Sequence, residues 1–134
     1  MSAVRLRDMK ILGSLDDEEI ERLEGLGRER RLAEGEFLFR EGERAVAFHL
    51  VLEGQLETTR EVAGEQVLMI SHGPGGFLGA MALLTDTPYR GTSQALADTV
   101  LFELDGEELR RAAFAHPSLL RSFLPAIESV SGAI

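Results

Sequence analysis

The sequence predicts a mainly β fold, an antiparallel β-roll or jelly roll with α-helices at both ends. Three observations carry this. Between residues 29 and 105, short extended runs with apolar alternation are separated by glycine-containing turns. On either side of that stretch, apolar residues recur at helical spacing. The 134 residues, 44% of them hydrophobic, fit one compact domain with a single core. The expected organisation is one domain over 1–134, helical at 1–28, a β-roll at 29–105 and helices at 106–134.

The first helix is expected from Asp16 to Gly25. Asp16 stands at an N-cap with Glu19 three places later, as in a capping box, and Ile20, Leu23 and Leu26 share one side. Gly25 and Gly27 supply a stop. Along the next run, Phe37 and Phe39 point one way while Glu36, Leu38 and Arg40 point the other, and Glu41-Gly42-Glu43 closes it. Phe48, Leu50 and Leu52 alternate with His49 and Val51. A turn at Glu53-Gly54 then returns the chain through Gln55 to Arg60, a hairpin pattern. After a turn at Ala63-Gly64, Val67, Met69 and Ser71 share a face, and the loop His72-Gly73-Pro74-Gly75-Gly76 follows. Strands are expected at Thr92 to Ala97 and Val100 to Asp105. Beyond Gly106, Leu109, Ala112, Ala113 and His116 recur at helical spacing up to Pro117. A last helix is expected from Ser118, carrying Leu119, Leu120, Phe123, Leu124, Ile127 and Val130, with Pro125 arguing against a long straight coiled coil.

Several function classes are disfavoured. Without cysteine there is no disulfide, thiolate zinc site or cysteine nucleophile. His49, His72 and His116 fall in different elements with no His-x-His pair, and no Ser-His-Asp arrangement is recognisable, so neither metal catalysis nor an enzyme is expected. The formal charge of −9 opposes general binding to nucleic acid or anionic membrane, so a phosphate ligand must be held by local donors. Charges run through residues 1–10 where a signal peptide would be apolar, and no run is long enough to span a bilayer. A cytoplasmic protein is the expectation.

The stretch Phe77-Leu78-Gly79-Ala80-Met81-Ala82-Leu83-Leu84, followed by a polar turn, Pro88, Tyr89, Arg90 and Thr92, carries the functional signal. A glycine before a short apolar turn lets backbone approach a ligand. The first N–H groups of that turn, at Ala80, Met81 and Ala82, lack intrahelical partners and favour an anion.

This order resembles the phosphate-binding cassette of the cyclic nucleotide-binding domain family, the β-roll of catabolite activator proteins, protein kinase A regulatory subunits and gated channels. Phe39-Arg40-Glu41-Gly42, Leu50 to Leu56 and Gly76 to Gly79 are similar to the family as well, and the likeness covers nearly the whole chain. The resemblance implies a cyclic nucleotide ligand (cAMP or cGMP), no required cofactor, and signalling or dimerisation through the helices after the roll. With the chain ending at Ile134, no DNA-binding helix-turn-helix is expected.

Two positions depart from the family pattern. Ala80 stands where the family has the Glu that takes the ribose 2′-hydroxyl, and Tyr89 where it has the Arg that pairs with the cyclic phosphate. Arg90 comes one place later, and on an extended chain that shift turns a side chain to the opposite face.

The candidate ligand-binding residues are therefore Gly79, Ala80, Met81, Ala82, Tyr89, Arg90 and Thr92. Each has a plainer alternative: a turn that only caps a short helix, a solvated Arg90, a Tyr89 that fills the space of an Arg and its ligand, and a structural Thr92. Two functions stay open: a small regulatory sensor of a cyclic nucleotide or related phosphate ligand, or a ligand-free β-roll for dimerisation or protein interaction.

Overall fold

A computed structural model describes residues 5–13, 15–115 and 117. His116 and the expected helix from Ser118, with Leu120, Phe123, Leu124, Pro125, Ile127 and Val130, lie outside these residues.

Two single-turn 3₁₀ helices, Leu6–Asp8 and Lys10–Leu12, precede helix α1, Asp17–Leu26. Strands β1 (Gly27–Leu32), β2 (Phe37–Phe39), β3 (Ala47–Glu53), β4 (Leu56–Val62), β5 (Glu65–His72) and β6 (Phe77–Leu78) follow. Helix α2 (Ala80–Thr85), strands β7 (Thr92–Ala95) and β8 (Thr99–Asp105), and helix α3 (Gly106–Ala115) complete the order. The strands form two four-stranded antiparallel sheets, β1-β8-β3-β6 and β2-β7-β4-β5. This is the expected β-roll with helices before and after it.

Local chemistry fixes α1. The Asp16 carboxylate accepts from the Glu19 N–H at 2.8 Å and the Glu19 carboxylate accepts from the Asp16 N–H at 3.0 Å, so the capping box forms as expected. The helix runs through Gly25 to Leu26, and β1 starts at Gly27, two residues before the expected roll. A Cβ at Gly27 would sit 2.5 Å from the Phe102 ring, so its absence lets β1 lie close against β8.

One core cluster joins both sheets and the N-terminal helices. Phe48, Leu50, Leu56, Leu101 and Leu104 are fully buried, together with Met9, Leu12 and Leu23. β3 is buried on both faces. Its register partners put His49 beside Glu103, and the imidazole Nε2 meets the carboxylate at 2.9 Å. Arg28 and Arg30 also donate to Glu103, at 2.8–2.9 Å. A buried polar residue thus occupies a strand without leaving its charge partner bare.

The expected alternation fails at β-bulges, of which two bear on the site, a third lying in β3 between Val51 and Glu53. In β2 the register slips between Phe37 and Phe39, so Phe39 is buried while Phe37 is 39% exposed beneath the Arg40 guanidinium, 4.0 Å from its ring centroid. In the β4–β5 hairpin it slips between Thr58 and Thr59, leaving Met69 without a register partner. The strict face-sharing of Val67, Met69 and Ser71 is lost there.

Candidate functional site

The site is assembled by the backbone first. Gly79 follows β6 in the left-handed region, φ +92°, and a Cβ there would lie 2.8 Å from the Ala47 carbonyl oxygen. Only glycine makes this turn against β3 without strain. α2 then begins at once. Its hydrogen-bond ladder starts with Leu83 N–H donating to the Gly79 carbonyl at 3.1 Å, so the N–H groups of Ala80, Met81 and Ala82 stand outside it. Ala80 and Met81 form the first helical turn, and Ala82 is buried against the core. α2 closes on Asp86, φ +53°, with Thr87 N–H donating to the Ala82 carbonyl at 3.0 Å.

Tyr89 is engaged with the protein itself. Its ring stacks on Phe39 with centroids 3.8 Å apart and planes 7° off parallel, and its hydroxyl donates to the Ala47 carbonyl at 3.1 Å. Its backbone is clamped by two further bonds, Tyr89 N–H to the Glu43 carbonyl and Gly42 N–H to the Tyr89 carbonyl, both 2.9 Å. Burial raises the phenol pKa above its ordinary value, so the hydroxyl stays a donor.

Beside this stack lies a cavity of about 350 Å³. The cassette contributes Gly79, Ala82, Tyr89, Arg90 and Gly91, and the facing wall comes from Phe39, Thr58, Phe77 and residues 69–73. The bulge opposite Met69 is what allows both Met69 and Ile70 to reach it. Tyr89 and Arg90 both line it, contrary to the opposite faces expected from alternation, because residues 87–91 form no ladder and period-2 geometry does not apply.

Charge in the cavity is sparse. Arg90 is exposed and has no ion pair or hydrogen bond among the described residues. Most other arginines are paired, for example Arg60 with Glu41 and Arg22 with Glu18. His72 sits in the lining with Nε2 3.3 Å from the Thr58 hydroxyl, and burial pulls its pKa down to about 4, which keeps the ring neutral at neutral pH. Thr92 lies outside the lining. Its hydroxyl accepts from the Glu41 N–H at 2.9 Å.

Sequence reasoning did not place Phe39, Thr58 or His72 at the cavity. They belong to β2, β4 and β5, and the pairing of β2 and β4 with β7 and of β4 with β5 brings them to the cassette. His72 left one local signal, its place at the head of the Gly-rich loop that feeds the cassette. His49 is no part of the cavity. Burial lowers its pKa, opposed by its bond to Glu103. Burial alone would raise the Glu103 pKa, but hydrogen bonds from His49, Arg28 and Arg30 bring it down to about 2. No cluster of three or more metal-ligating side chains occurs among the described residues, nor any helix long and apolar enough to cross a membrane.

The α2 end is also tied to the next helix. Arg110 of α3 donates to the Leu83 carbonyl at 2.6 Å, and Gly106 at the head of α3 donates its N–H to the Val46 carbonyl at 2.8 Å.

Known proteins are similar to this chain. A protein named as a potassium channel protein in Rhodopseudomonas palustris is 32% identical over 105 residues, which are 77% of this chain and 25% of that one. A cAMP-dependent protein kinase regulatory subunit of Blastocladiella emersonii is 29% identical over 109 residues, 81% of this chain and 27% of that one. The chain thus spans about a quarter of the length of these two relatives. The catabolite activator protein of Thermus thermophilus has the same fold, with a TM-score of 0.82 at 22% identity over 90% of this chain and 57% of that one. Residues 29–116 match the cyclic nucleotide-binding domain, and the chain belongs to that family.

Proposed function

We propose that this domain is a small regulatory sensor that takes a cyclic nucleotide or related phosphate ligand into the cavity beside α2 and passes occupancy to its C-terminal helices. One observation carries the reading: Gly79, Ala82 and an unpaired Arg90 meet at an open cavity of about 350 Å³. That volume falls within the range of small-molecule sites. A guanidinium without an internal partner retains its donors for a phosphate, and the free N–H groups of the first α2 turn add to it.

Occupancy has a route outward. A ligand shifts a helix arrangement only if it binds one arrangement better than the other. Arg110 joins the last turn of α2 to α3, so a displacement of α2 changes the hydrogen bond that holds α3. No catalytic step is assigned to the domain, and the charge of −9 opposes direct contact with DNA or anionic membrane.

The test is a calorimetric titration with cyclic AMP and cyclic GMP, with ATP as control. Binding of a cyclic nucleotide in the micromolar range supports the sensor. No heat at millimolar ligand overturns it.

The second reading, a ligand-free roll for dimerisation or protein interaction, is favoured by Tyr89. Where the family's phosphate-pairing Arg would stand, the ring and hydroxyl are satisfied by Phe39 and Ala47. Phe114 on α3 is 90% exposed and offers apolar surface to a partner. Under this reading saturating cyclic nucleotide leaves the melting temperature unchanged, whereas a ligand of the folded state raises it.

A further inference from the structure

We propose that His72, supported by Thr58, determines the ligand selectivity of the cavity by hydrogen bonding to a neutral polar edge of a planar heterocycle, while Arg90 takes the ligand's negative charge. The inference rests on the sensor reading above and adds to it the residue that distinguishes one base from another.

The polar side chains of the lining divide by what they already hold. The Tyr89 hydroxyl is committed to the Ala47 carbonyl. Arg90 carries the charge at the cavity. Ser71 is exposed to solvent. His72 differs from all three: half-buried, tied through Nε2 to Thr58 at 3.3 Å, and with Nδ1 free of any partner among the described residues. Around it the wall is apolar, with Met69, Ile70 and Phe77. A flat heterocycle suits such a wall, and its polar edge needs a partner there, because a buried polar group left unpaired loses the hydrogen bonds it had to water.

Charge and geometry say which kind of edge. Among the described residues no acidic side chain lines the cavity, so none of them holds an imidazolium there, and burial keeps the ring neutral. A neutral imidazole has one donor and one acceptor. Whichever role Nε2 plays toward the Thr58 hydroxyl, Nδ1 plays the other toward the ligand. This suits an amino or carbonyl group rather than an anion, and it separates the two polar ends of the site, Arg90 for charge and His72 for the base. Adenine and guanine differ in the amino and carbonyl groups on their edges, so the two cyclic nucleotides probe this contact directly.

The experiment measures dissociation constants for cyclic AMP and cyclic GMP on the native chain and on His72→Leu, Thr58→Val and Arg90→Ala, each checked for native-like melting. His72→Leu is expected to change the ratio of the two constants about tenfold, the factor set by one lost hydrogen bond. Thr58→Val, nearly isosteric, is expected to change it in the same direction by less, while Arg90→Ala weakens both nucleotides in parallel and leaves the ratio within about twofold. In histidine-labelled protein, the His72 ring nitrogens are expected to shift on nucleotide addition. Binding with an unchanged ratio in His72→Leu overturns this inference and leaves the sensor reading standing. Failure of the native chain to bind either nucleotide at millimolar concentration overturns both.

Discussion

The Arg110 guanidinium donates to the Leu83 carbonyl at 2.6 Å, so the last turn of α2 is held by a side chain of α3. That carbonyl also accepts from the Asp86 N–H at 3.4 Å, and a cation placed there adds a shorter bond and meets the negative end of the helix dipole. Asp86, 3.9 Å away and 85% exposed, adds little to Arg110.

Replacing Arg110 by Leu is therefore expected to cost about 1 kcal/mol of stability. Its distinctive effect is on coupling. In the native chain a bound ligand should slow amide exchange in α3, and in Arg110→Leu the ligand should still bind while that protection is lost. Equal α3 protection in both proteins would show that the link carries nothing.

Tyr89 joins β2, β3 and the cassette through one ring and one hydroxyl. Tyr89→Phe keeps the stack on Phe39 and removes only the bond to the Ala47 carbonyl. The expected loss is about 1 kcal/mol, or roughly 3–5 °C in melting temperature. Tyr89→Ala also empties a buried aromatic site and is expected to cost about 3–5 kcal/mol. A Phe variant as unstable as the Ala variant would place the role of Tyr89 in the hydroxyl rather than in the stack.

These contacts mark the boundary of what was legible in the chain. The capping box of Asp16 and Glu19, the Ala63-Gly64 turn and the Gly79 turn into α2 were readable because each is decided within a few residues. The roll itself followed from glycine punctuation and alternation. Alternation broke where a bulge re-aimed the chain, as at Phe37 and Met69, and a bulge has no local signature in those runs. The cavity was half visible: Gly79, Ala82, Tyr89 and Arg90 lie in one short stretch of sequence, but Phe39, Thr58 and His72 join them only through strand pairing. A space-filling Tyr89 was one of the readings the sequence left open, but the partner of its hydroxyl was hidden, since Ala47 is forty-two residues away.

The β4–β5 hairpin closes with two residues in the left-handed region, Ala63 at φ +54° and Gly64 at φ +84°, between the paired Val62 and Glu65. Both signs suit the right-handed twist of the strands, but a Cβ-bearing residue other than Asn or Asp is costly there. Ala63→Asn is expected to stabilise the domain by about 1 kcal/mol. Gly64→Ala is expected to destabilise it by a similar amount. Denaturant midpoints at unchanged slope check both, and a loss of stability in Ala63→Asn would mean the turn is not of this type in solution.

Acid is expected to weaken the fold in two stages. The His72 pKa is about 4 in the folded chain against an ordinary 6.5, and that of His49 is also lowered, both by burial. As pH falls from 6.5, the unfolded chain takes up protons that the folded chain refuses, so stability drops, and for His72 the loss runs down to about pH 4. Glu103 acts later. Its hydrogen bonds hold the folded pKa at about 2 against an ordinary 4.5, so its contribution is complete above pH 4.5 and disappears as pH falls toward about 2. Each proton taken up only by the unfolded state sets a slope of about 1.4 kcal/mol per pH unit. Melting temperature followed from about pH 7.5 to 2 reads these slopes. His72→Gln is expected to lower the slope between about pH 6.5 and 4 to the part that His49 contributes and to leave the lower stage in place, since its side chain cannot titrate. Parallel curves for the native and variant proteins would mean that His72 is as free to protonate in the folded chain as in the unfolded one, and the neutral wall of the cavity would be lost with it.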